Sequence, residues 1–162
     1  MTFKGNFFVF LVTFVLFVQF SNHSQTFQTE LKSLSKGADV ILTGKVTKQQ
    51  SEWTQNKSRI ITKTTIQVDE YLKGNGNNNT VVINHPGGEI DGVGELYSHM
   101  PEFKNDEEVL LFLKKEKNSP DYKVFSGEDG KVSIIRNKKG EKVTPSNFSL
   151  STLKKQIKRY TN

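Results

Sequence analysis

Histidine and carboxylate side chains are concentrated in one polar segment near the middle of the chain. It begins at His85, ends at His99 and contains the carboxylates of Glu89, Asp91 and Glu95. Imidazole nitrogens and carboxylate oxygens bind zinc and harder cations, so the two histidines are candidate metal ligands. Their spacing matches no established ligand motif, and ordinary loop polarity explains the same residues equally well.

The rest of the sequence offers little support for catalysis. It contains no Gly-x-Ser-x-Gly elbow, no His-Glu-x-x-His pair and no phosphate-binding glycine loop. The chain has no cysteine, which excludes disulfides, thiol catalysis and cysteine-ligated metal sites. Pro86-Gly87-Gly88 is expected to have a structural role, because proline fixes φ and glycine permits a tight reversal. We therefore predict no catalytic residue, no cofactor and no enzymatic activity.

Aromatic side chains form a second candidate site. Trp53, Tyr71 and Tyr97 are predicted ligand-binding residues, because small β-barrels use exposed aromatic faces to bind sugars and single strands. Large aromatic residues also form the cores of such barrels, and Phe103 is predicted to be a core residue. Trp53 is the best surface candidate, since residues 51–58 around it are nearly all polar.

The elements between these residues are predicted to be mostly strands. Apolar and polar residues alternate from Arg59 to Leu72, which is typical of a sheet packed on one side. Residues 107–115 have a continuous apolar centre that would also suit a helix, but their short length favours a strand. The predicted strands are residues 40–53 with a bulge or bend at Gly44, 59–72, 81–83, 107–115 and a hairpin of 122–125 with 131–136. Residues 89–94 are expected to be irregular, and residues 95–99 to form a short edge strand.

A helix is predicted on each side of the strands. Residues 25–37 have apolar residues at helical spacing, and Gly37 marks the end of that helix. Residues 138–162 are predicted to be a linker and an amphipathic helix with Ser149 as its N-cap. The basic face of the second helix could contact a membrane, but its narrow apolar stripe favours packing on the sheet.

The first 24 residues are typical of a secretory signal peptide. Lys4 precedes an apolar run at residues 7–18, and a polar stretch follows it. The run is shorter than the about 20 residues that a membrane-spanning helix needs, which favours cleavage over an uncleaved anchor. Cleavage is predicted between Ser24 and Gln25. We therefore expect export to the periplasm, cell surface or medium, with no stable membrane anchor after cleavage.

The charge of the mature chain is only mildly basic. Without Lys4 it would carry 22 Lys and Arg residues against 17 Asp and Glu residues. This is a mild surplus rather than the dense basic stripe of nucleic-acid-binding proteins. We predict a monomer whose partner is not a nucleic acid.

Several segments, taken in order, resemble a family of exported, mostly bacterial domains of poorly known function. The resemblance covers roughly residues 31–135 and is carried by residues 38–46 with 51–53, 64–74, 85–89, and 101–103 with 107–113. It implies a five-stranded OB-type barrel, similar to the N-terminal domain of tissue inhibitors of metalloproteinases and to netrin-like modules. Those inhibitors bind the protease zinc through an N-terminal cysteine. This chain has none, so that mechanism is not carried over.

The sequence departs from the family pattern at two positions where glycine is expected, His99 and Asp106. If these positions need a positive φ, the local turns are expected to differ in this chain. The resemblance transfers no catalytic residue.

The combined prediction is a mainly β chain with a small closed or partly open OB-like β-barrel, a short N-terminal helix and a C-terminal amphipathic helix. Its organisation is a signal peptide (1–24), a helix (25–37), the barrel (38–137) and a linker with a helix packed on the barrel (138–162). The predicted function is a non-enzymatic binding module for a protein or glycan outside the cytoplasmic membrane. The alternatives are an inhibitor or regulator of a secreted protease and a metal-dependent enzyme that uses the segment from His85 to His99.

Overall fold

A computed structural model describes residues 28–74, 76, 78–117 and 119–162. Residues 34–162 form one compact unit. The predicted signal peptide and its cleavage site lie outside the described residues. Within the described ranges, no helix is long and apolar enough to cross a membrane.

The described residues form nine strands and two α-helices. Helix α1 covers residues 28–37, and helix α2 covers Leu150–Thr161. The strands are β1 (Val40–Trp53), β2 (Ile60–Lys73), β3 (Thr80–Pro86), β4 (Gly88–Ile90), β5 (Val93–Glu95), β6 (Glu108–Lys115), β7 (Tyr122–Val124), β8 (Lys131–Arg136) and β9 (Lys142–Val143).

Five strands close into a barrel in the order β1, β2, β3, β7, β6 and back to β1. Neighbouring strands are antiparallel except β3 and β7, which run parallel. Strand β8 extends the sheet from β6, and β9 pairs with β8. The prediction of a mainly β chain with a small barrel, a short N-terminal helix and a C-terminal helix is confirmed, and the barrel is closed.

The barrel interior follows from the alternation in β2. Ile60, Thr62, Thr64 and Ile66 are all buried, which confirms the predicted inward face. Phe103 is 7% exposed and belongs to the core, as predicted. The core cluster is built from the barrel strands and Phe103: Val40, Leu42, Val46, Ile66, Val81, Ile83, Phe103, Val109, Leu111 and Leu113.

A bulge interrupts the pairing of β1 with β2 at Gly44, as predicted. Thr43 pairs with Glu70 and Gly44 pairs with Val68, so Asp69 has no partner in the ladder. A Cβ at Gly44 would collide with the backbone of β2, so glycine permits the close approach of the two strands.

The predicted hairpin of residues 122–125 with 131–136 is wrong. Strands β7 and β8 form, but both pair with β6: β7 with residues 113–115 and β8 with residues 108–111. Between them, Ser126 and Gly127 have φ of 64° and 61°, and a 3-10 helix spans Gly127–Gly130. This connection is longer than a tight hairpin turn. Strand β8 therefore lies next to β7 along the same edge of β6 and does not pair with β7.

Residues 89–94 were expected to be irregular, and this prediction is also wrong. They belong to a hairpin in which β4 pairs with β5. Asp91 and Gly92 form its turn with φ of 51° and 80°, and an Asp-Gly pair is preferred where both turn residues need a positive φ. The predicted edge strand at residues 95–99 is absent from these described residues, apart from Glu95 at the end of β5.

The two positions without the expected glycine keep a left-handed backbone. His99 has a φ of 60° and Asp106 a φ of 65°, so the lack of glycine has not changed this conformation. The backbone N–H of Asp106 donates to the carbonyl of Val46, and its carboxylate lies 2.6 Å from Lys45 Nζ. Aspartate tolerates this region better than most residues, and these contacts hold the turn.

Helix α2 packs on the barrel as predicted. Its apolar side chains Leu150, Leu153 and Ile157 are buried. Ser149 occupies the N-cap position with an extended backbone, but its side chain makes no capping hydrogen bond. Its hydroxyl instead lies 2.8 Å from the hydroxyl of Ser151. This contact between side chains takes the place of a hydrogen bond to the helix backbone.

The C-terminal end of α1, which ends at residue 37 as predicted, is held by Lys73. The ammonium of Lys73 donates to the carbonyls of Ser35 (2.9 Å), Lys36 (3.1 Å) and Ala38 (2.6 Å). Basic groups stabilise helix C-termini by satisfying the last carbonyls.

We expect Lys73→Met to lower the free energy of unfolding by about 2 kcal/mol, because it removes hydrogen bonds from a charged donor. Urea unfolding followed by circular dichroism measures this change. Lys48→Met is the matched control, since Lys48 lies exposed on β1 and forms no ion pair with any described residue. Equal urea midpoints for the two variants would contradict a capping role for Lys73.

Candidate functional site

A cleft of ≈ 470 Å³ opens at the end of the barrel nearest the β1–β2 turn. Strands β1 and β2 contribute Ser51 and Thr62, and the end of β3 contributes His85. The opposite wall comes from the segment that follows β5, including Tyr97 and Met100. The cleft therefore lies where the barrel meets the β4–β5 hairpin and the chain that leads to β6.

Two small hydroxyl side chains join the hairpin to the barrel. Thr62 is 5% exposed, and its Oγ1 donates to the carbonyl of Gly87 at 2.7 Å. The hydroxyl of Ser51 lies 3.0 Å from the same Oγ1. Gly87 and Gly88 have φ of 94° and 131°, and the backbone of any residue with a side chain would be strained in this region. A Cβ at Gly88 would collide with both hydroxyls, so the cleft depends on glycine at this position.

His85 forms part of the cleft wall. Its Nε2 lies 3.2 Å from Thr64 Oγ1, and its ring centroid is 5.6 Å from that of Phe103. Burial lowers the pKa of His85. This effect outweighs the hydrogen bond with the backbone of Pro86, which acts to raise the pKa. The imidazole is therefore neutral at neutral pH, which suits a hydrogen-bonding group on an apolar wall.

His99 lies apart from this wall. It is exposed, and its Nδ1 lies 3.2 Å from Glu128 Oε1. No described contact joins His99 to His85, and no group of three His, Cys, Asp or Glu in the described ranges is placed to hold a metal ion. The hypothesis of a metal site built on these two histidines stays a prediction without geometric support.

The three predicted aromatic residues are divided between the two ends of the barrel. Tyr97 lines the cleft, with its hydroxyl donating to Glu95 Oε2 at 3.1 Å. Trp53 is 38% exposed and lies two residues beyond Ser51, on the same face of β1. Both residues therefore belong to the cleft end of the barrel.

Tyr71 belongs to the other end. It pairs with Leu42, packs against the barrel core and donates its hydroxyl to the carbonyl of Asn78. Tyr71 lies eleven positions along β2 from Ile60, the partner of Trp53, which corresponds to roughly 35 Å along the strand. The structure thus places Tyr71 with the core rather than with the cleft.

Sequence reasoning missed the apolar residues beside the cleft. Leu96 is 99% exposed, and Met100, which also lines the cleft, is 36% exposed. Val93, on the β4–β5 hairpin, is 51% exposed. The signal in the sequence was a group of large apolar residues in a segment otherwise rich in glycine and polar residues. We call Val93, Leu96 and Met100 the apolar rim.

Comparison with known proteins adds no functional assignment. No protein-family model matches this chain, and a search of curated proteins finds no match.

Proposed function

We propose that the chain is an exported, non-enzymatic binding module that docks a protein partner outside the cytoplasmic membrane at the cleft. The observation that carries this proposal is the apolar rim, above all the fully exposed side chain of Leu96. Exposed apolar groups beside a cleft are typical of protein interaction sites, because binding removes their surface from water. The part of the proposal that concerns export is supported by the signal-like pattern of residues 1–24.

A protein fits this surface better than a glycan does. The rim side chains are aliphatic or a thioether, which match apolar protein surface and offer no hydrogen bonds to sugar hydroxyls. The hydroxyl of Tyr97 is already engaged by Glu95, and its ring is only half-exposed. The closed five-stranded barrel is compatible with the OB-type barrel that the resemblance implies, and such barrels commonly serve as binding modules. No described contact favours the protease-inhibitor or metal-enzyme alternative.

A capture experiment tests the proposal. The bait is the chain from Gln25, immobilised and exposed to envelope and medium fractions of the producing organism. We expect specific capture of a protein, with Leu96→Ser weakening the apparent affinity at least about tenfold, as for an interface hot spot. Trp53→Ala is expected to weaken it by a smaller factor, because Trp53 is not among the residues that line the cleft.

Ile135→Ser is the matched control, since Ile135 is an aliphatic residue that is 48% exposed on β8, away from the cleft. Circular dichroism of each bait checks that it is folded. Equal capture by wild type and Leu96→Ser would contradict docking at the rim. Retention of polysaccharide without protein would instead favour a glycan partner.

A further inference from the structure

Lysine side chains surround an open depression of ≈ 630 Å³ on the outside of the barrel, and the proposed function does not use it. Lys114 on β6 lies directly opposite Lys123 on β7 in the strand ladder. A neighbour of each lysine in its strand packs in or against the core, so both lysines point away from the barrel interior. Lys115 and Lys117 also line the depression, and we call these four residues the lysine patch.

The lysine patch carries an excess of positive charge. Lys114 Nζ lies 2.8 Å from Asp39 Oδ1. The other three lysines of the patch are exposed and form no ion pair with any described residue. Among the described residues that line the depression, Glu116 has the single carboxylate, and its Oε2 accepts a hydrogen bond from Asn84 Nδ2. Against the four ammonium groups, the carboxylates of Asp39 and Glu116 leave two positive charges.

The wider neighbourhood reduces this excess but does not remove it. Asp121 Oδ2 accepts a hydrogen bond from the same Asn84 Nδ2 as Glu116, so the two carboxylates lie close together. Lys63 on β2 lies near Asp121 and pairs with Glu52 at 2.7 Å. With Lys63, Glu52 and Asp121 included, one positive charge still remains.

The position of Lys114 opposite Lys123 is electrostatically unfavourable. Directly opposed residues of an antiparallel pair have Cβ atoms about 5 Å apart, and like charges at such positions destabilise a sheet. Asp39 neutralises Lys114, but Lys123 has no carboxylate partner among the described residues. An anion bound over the two strands would remove the repulsion that remains.

The residue types of the patch favour phosphate groups as the ligand. Lysine binds phosphate as a point charge, whereas arginine supplies the planar fork that fits a single carboxylate. All the cations of the described lining are lysines. Because several of them are unpaired and lie apart on an open surface, a ligand with several phosphate groups fits better than one small ion.

Two features argue against a nucleic acid or a membrane as the source of these phosphates. Phe125 is the single aromatic residue of the described lining, and Lys114 Nζ lies 5.5 Å from its ring centroid, where a base would have to stack. None of the exposed large apolar residues of the described chain lines the depression, so nothing there can insert into a bilayer. We propose that the lysine patch binds a soluble polymer whose charged groups are phosphates.

Isothermal titration calorimetry of the chain from Gln25 with medium-chain sodium polyphosphate tests this proposal. We expect saturable binding with a dissociation constant in the micromolar range, which weakens as added sodium chloride screens the charges. Orthophosphate is expected to bind at least about a hundredfold more weakly, because one ion contacts only part of the patch at a time.

Two double variants locate the site. Lys115→Gln with Lys123→Gln is expected to weaken polyphosphate binding at least about tenfold, because it removes two unpaired charges of the patch. Lys138→Gln with Lys139→Gln is the matched control, since it removes the same charge from the exposed turn between β8 and β9. At physiological ionic strength, where charges more than about 8 Å away are largely screened, we expect this control to weaken binding less than about twofold.

Both double variants are expected to stay folded, because all four lysines are exposed, and circular dichroism checks this. Equal weakening by the two, or no saturable binding by the wild type, would overturn the proposal in favour of a merely solvated surface. Orthophosphate binding as tight as that of polyphosphate would indicate a site for a single ion. Tighter binding of an oligothymidine of equal phosphate number would indicate a nucleic acid, and tighter binding of phosphatidylglycerol vesicles would indicate a membrane.

Discussion

Gly88→Ala is expected to lower the free energy of unfolding by about 3 kcal/mol, the sum of backbone strain and overpacking. Gly88 has a φ of 131°, a conformation that L-residues rarely adopt. The added methyl group would also collide with Thr62 Oγ1 and Ser51 Oγ, which hold the hairpin against the barrel. Relief of the collision requires the β4–β5 hairpin to move, so the variant is expected to lose capture of the partner as well.

Gly92→Ala is the matched control for this substitution. Gly92 lies in the same hairpin with a φ of 80°, but a Cβ there meets no atom within 4 Å. It introduces backbone strain without the collision, and we expect a loss of about 1 kcal/mol with capture retained. Urea unfolding and the capture experiment measure the two effects. Equal destabilisation by both substitutions would show that contact with Ser51 and Thr62 does not control the position of the hairpin.

The sequence predicted the barrel strands well where local pattern determines them. The alternation in β2 assigned its inward face correctly because one side of that strand is buried along most of its length. Gly44 predicted the bulge because only glycine permits that approach of β1 to β2. The alternation in β2 and the bulge at Gly44 depend on the spacing of apolar residues and on the size of one residue, and both can be read from a short segment of sequence.

Pairing between strands was harder to predict because it depends on distant residues. Strands β7 and β8 look like a hairpin in the sequence, but β6 offers both of them a free edge. The left-handed backbone of Ser126 and Gly127 turns the chain after β7, and β8 then pairs with residues 108–111 of the same edge. The sequence of a polar connection between two short strands does not show whether the two strands pair with each other or with a third strand.

The candidate site was predicted only in part. Of the predicted site residues, His85 and Tyr97 line the cleft, whereas Tyr71 packs against the core. Exposure is a tertiary property, so the sequence could not show that Leu96 is fully exposed while Phe103 is buried. The sequence contains the Asp91-Gly92 pair that is typical of a hairpin turn, but the neighbouring glycines favoured the prediction of an irregular segment.

A network centred on Glu107 supports one wall of the cleft. Its Oε1 accepts hydrogen bonds from Lys131 Nζ (2.7 Å) and Ser133 Oγ (2.5 Å), and its Oε2 accepts one from the backbone N–H of Lys104 (3.1 Å). The side chains of Lys131 and Glu107 are only 11% and 14% exposed. The ammonium of Lys131 also lies 5.4 Å from the ring centroid of Phe103. The network thus joins β8 to the segment that lines the cleft.

Glu107→Gln is expected to lower the free energy of unfolding by about 3 kcal/mol at pH 7, because it leaves a largely buried lysine without a counter-charge. Asp129→Asn is the control, since Asp129 lies exposed in the 3-10 helix and forms no ion pair with any described residue. Urea unfolding at pH 7 compares both variants with the wild type. A loss no larger than that of the control would mean that Lys131 is solvated well enough without Glu107.

The difference between wild type and Glu107→Gln is expected to depend on pH. Burial raises the pKa of Glu107, but the hydrogen bonds from Lys131, Ser133 and Lys104 outweigh it and hold the pKa below the ordinary value of 4.5. The folded state therefore binds the proton less readily than the unfolded chain does. Its stabilisation is present above that ordinary value and is lost as the pH falls through the lowered pKa.

We expect a constant difference between pH 7 and pH 5.5 and a progressive decrease below pH 4.5, because a protonated glutamate resembles glutamine in shape and charge. Urea unfolding at intervals down to pH 3 measures this decrease. A difference that persists unchanged at the lowest pH would indicate that the substitution acts through packing. A difference that closes shows that the ionised carboxylate, through Lys131, holds this wall of the cleft in place.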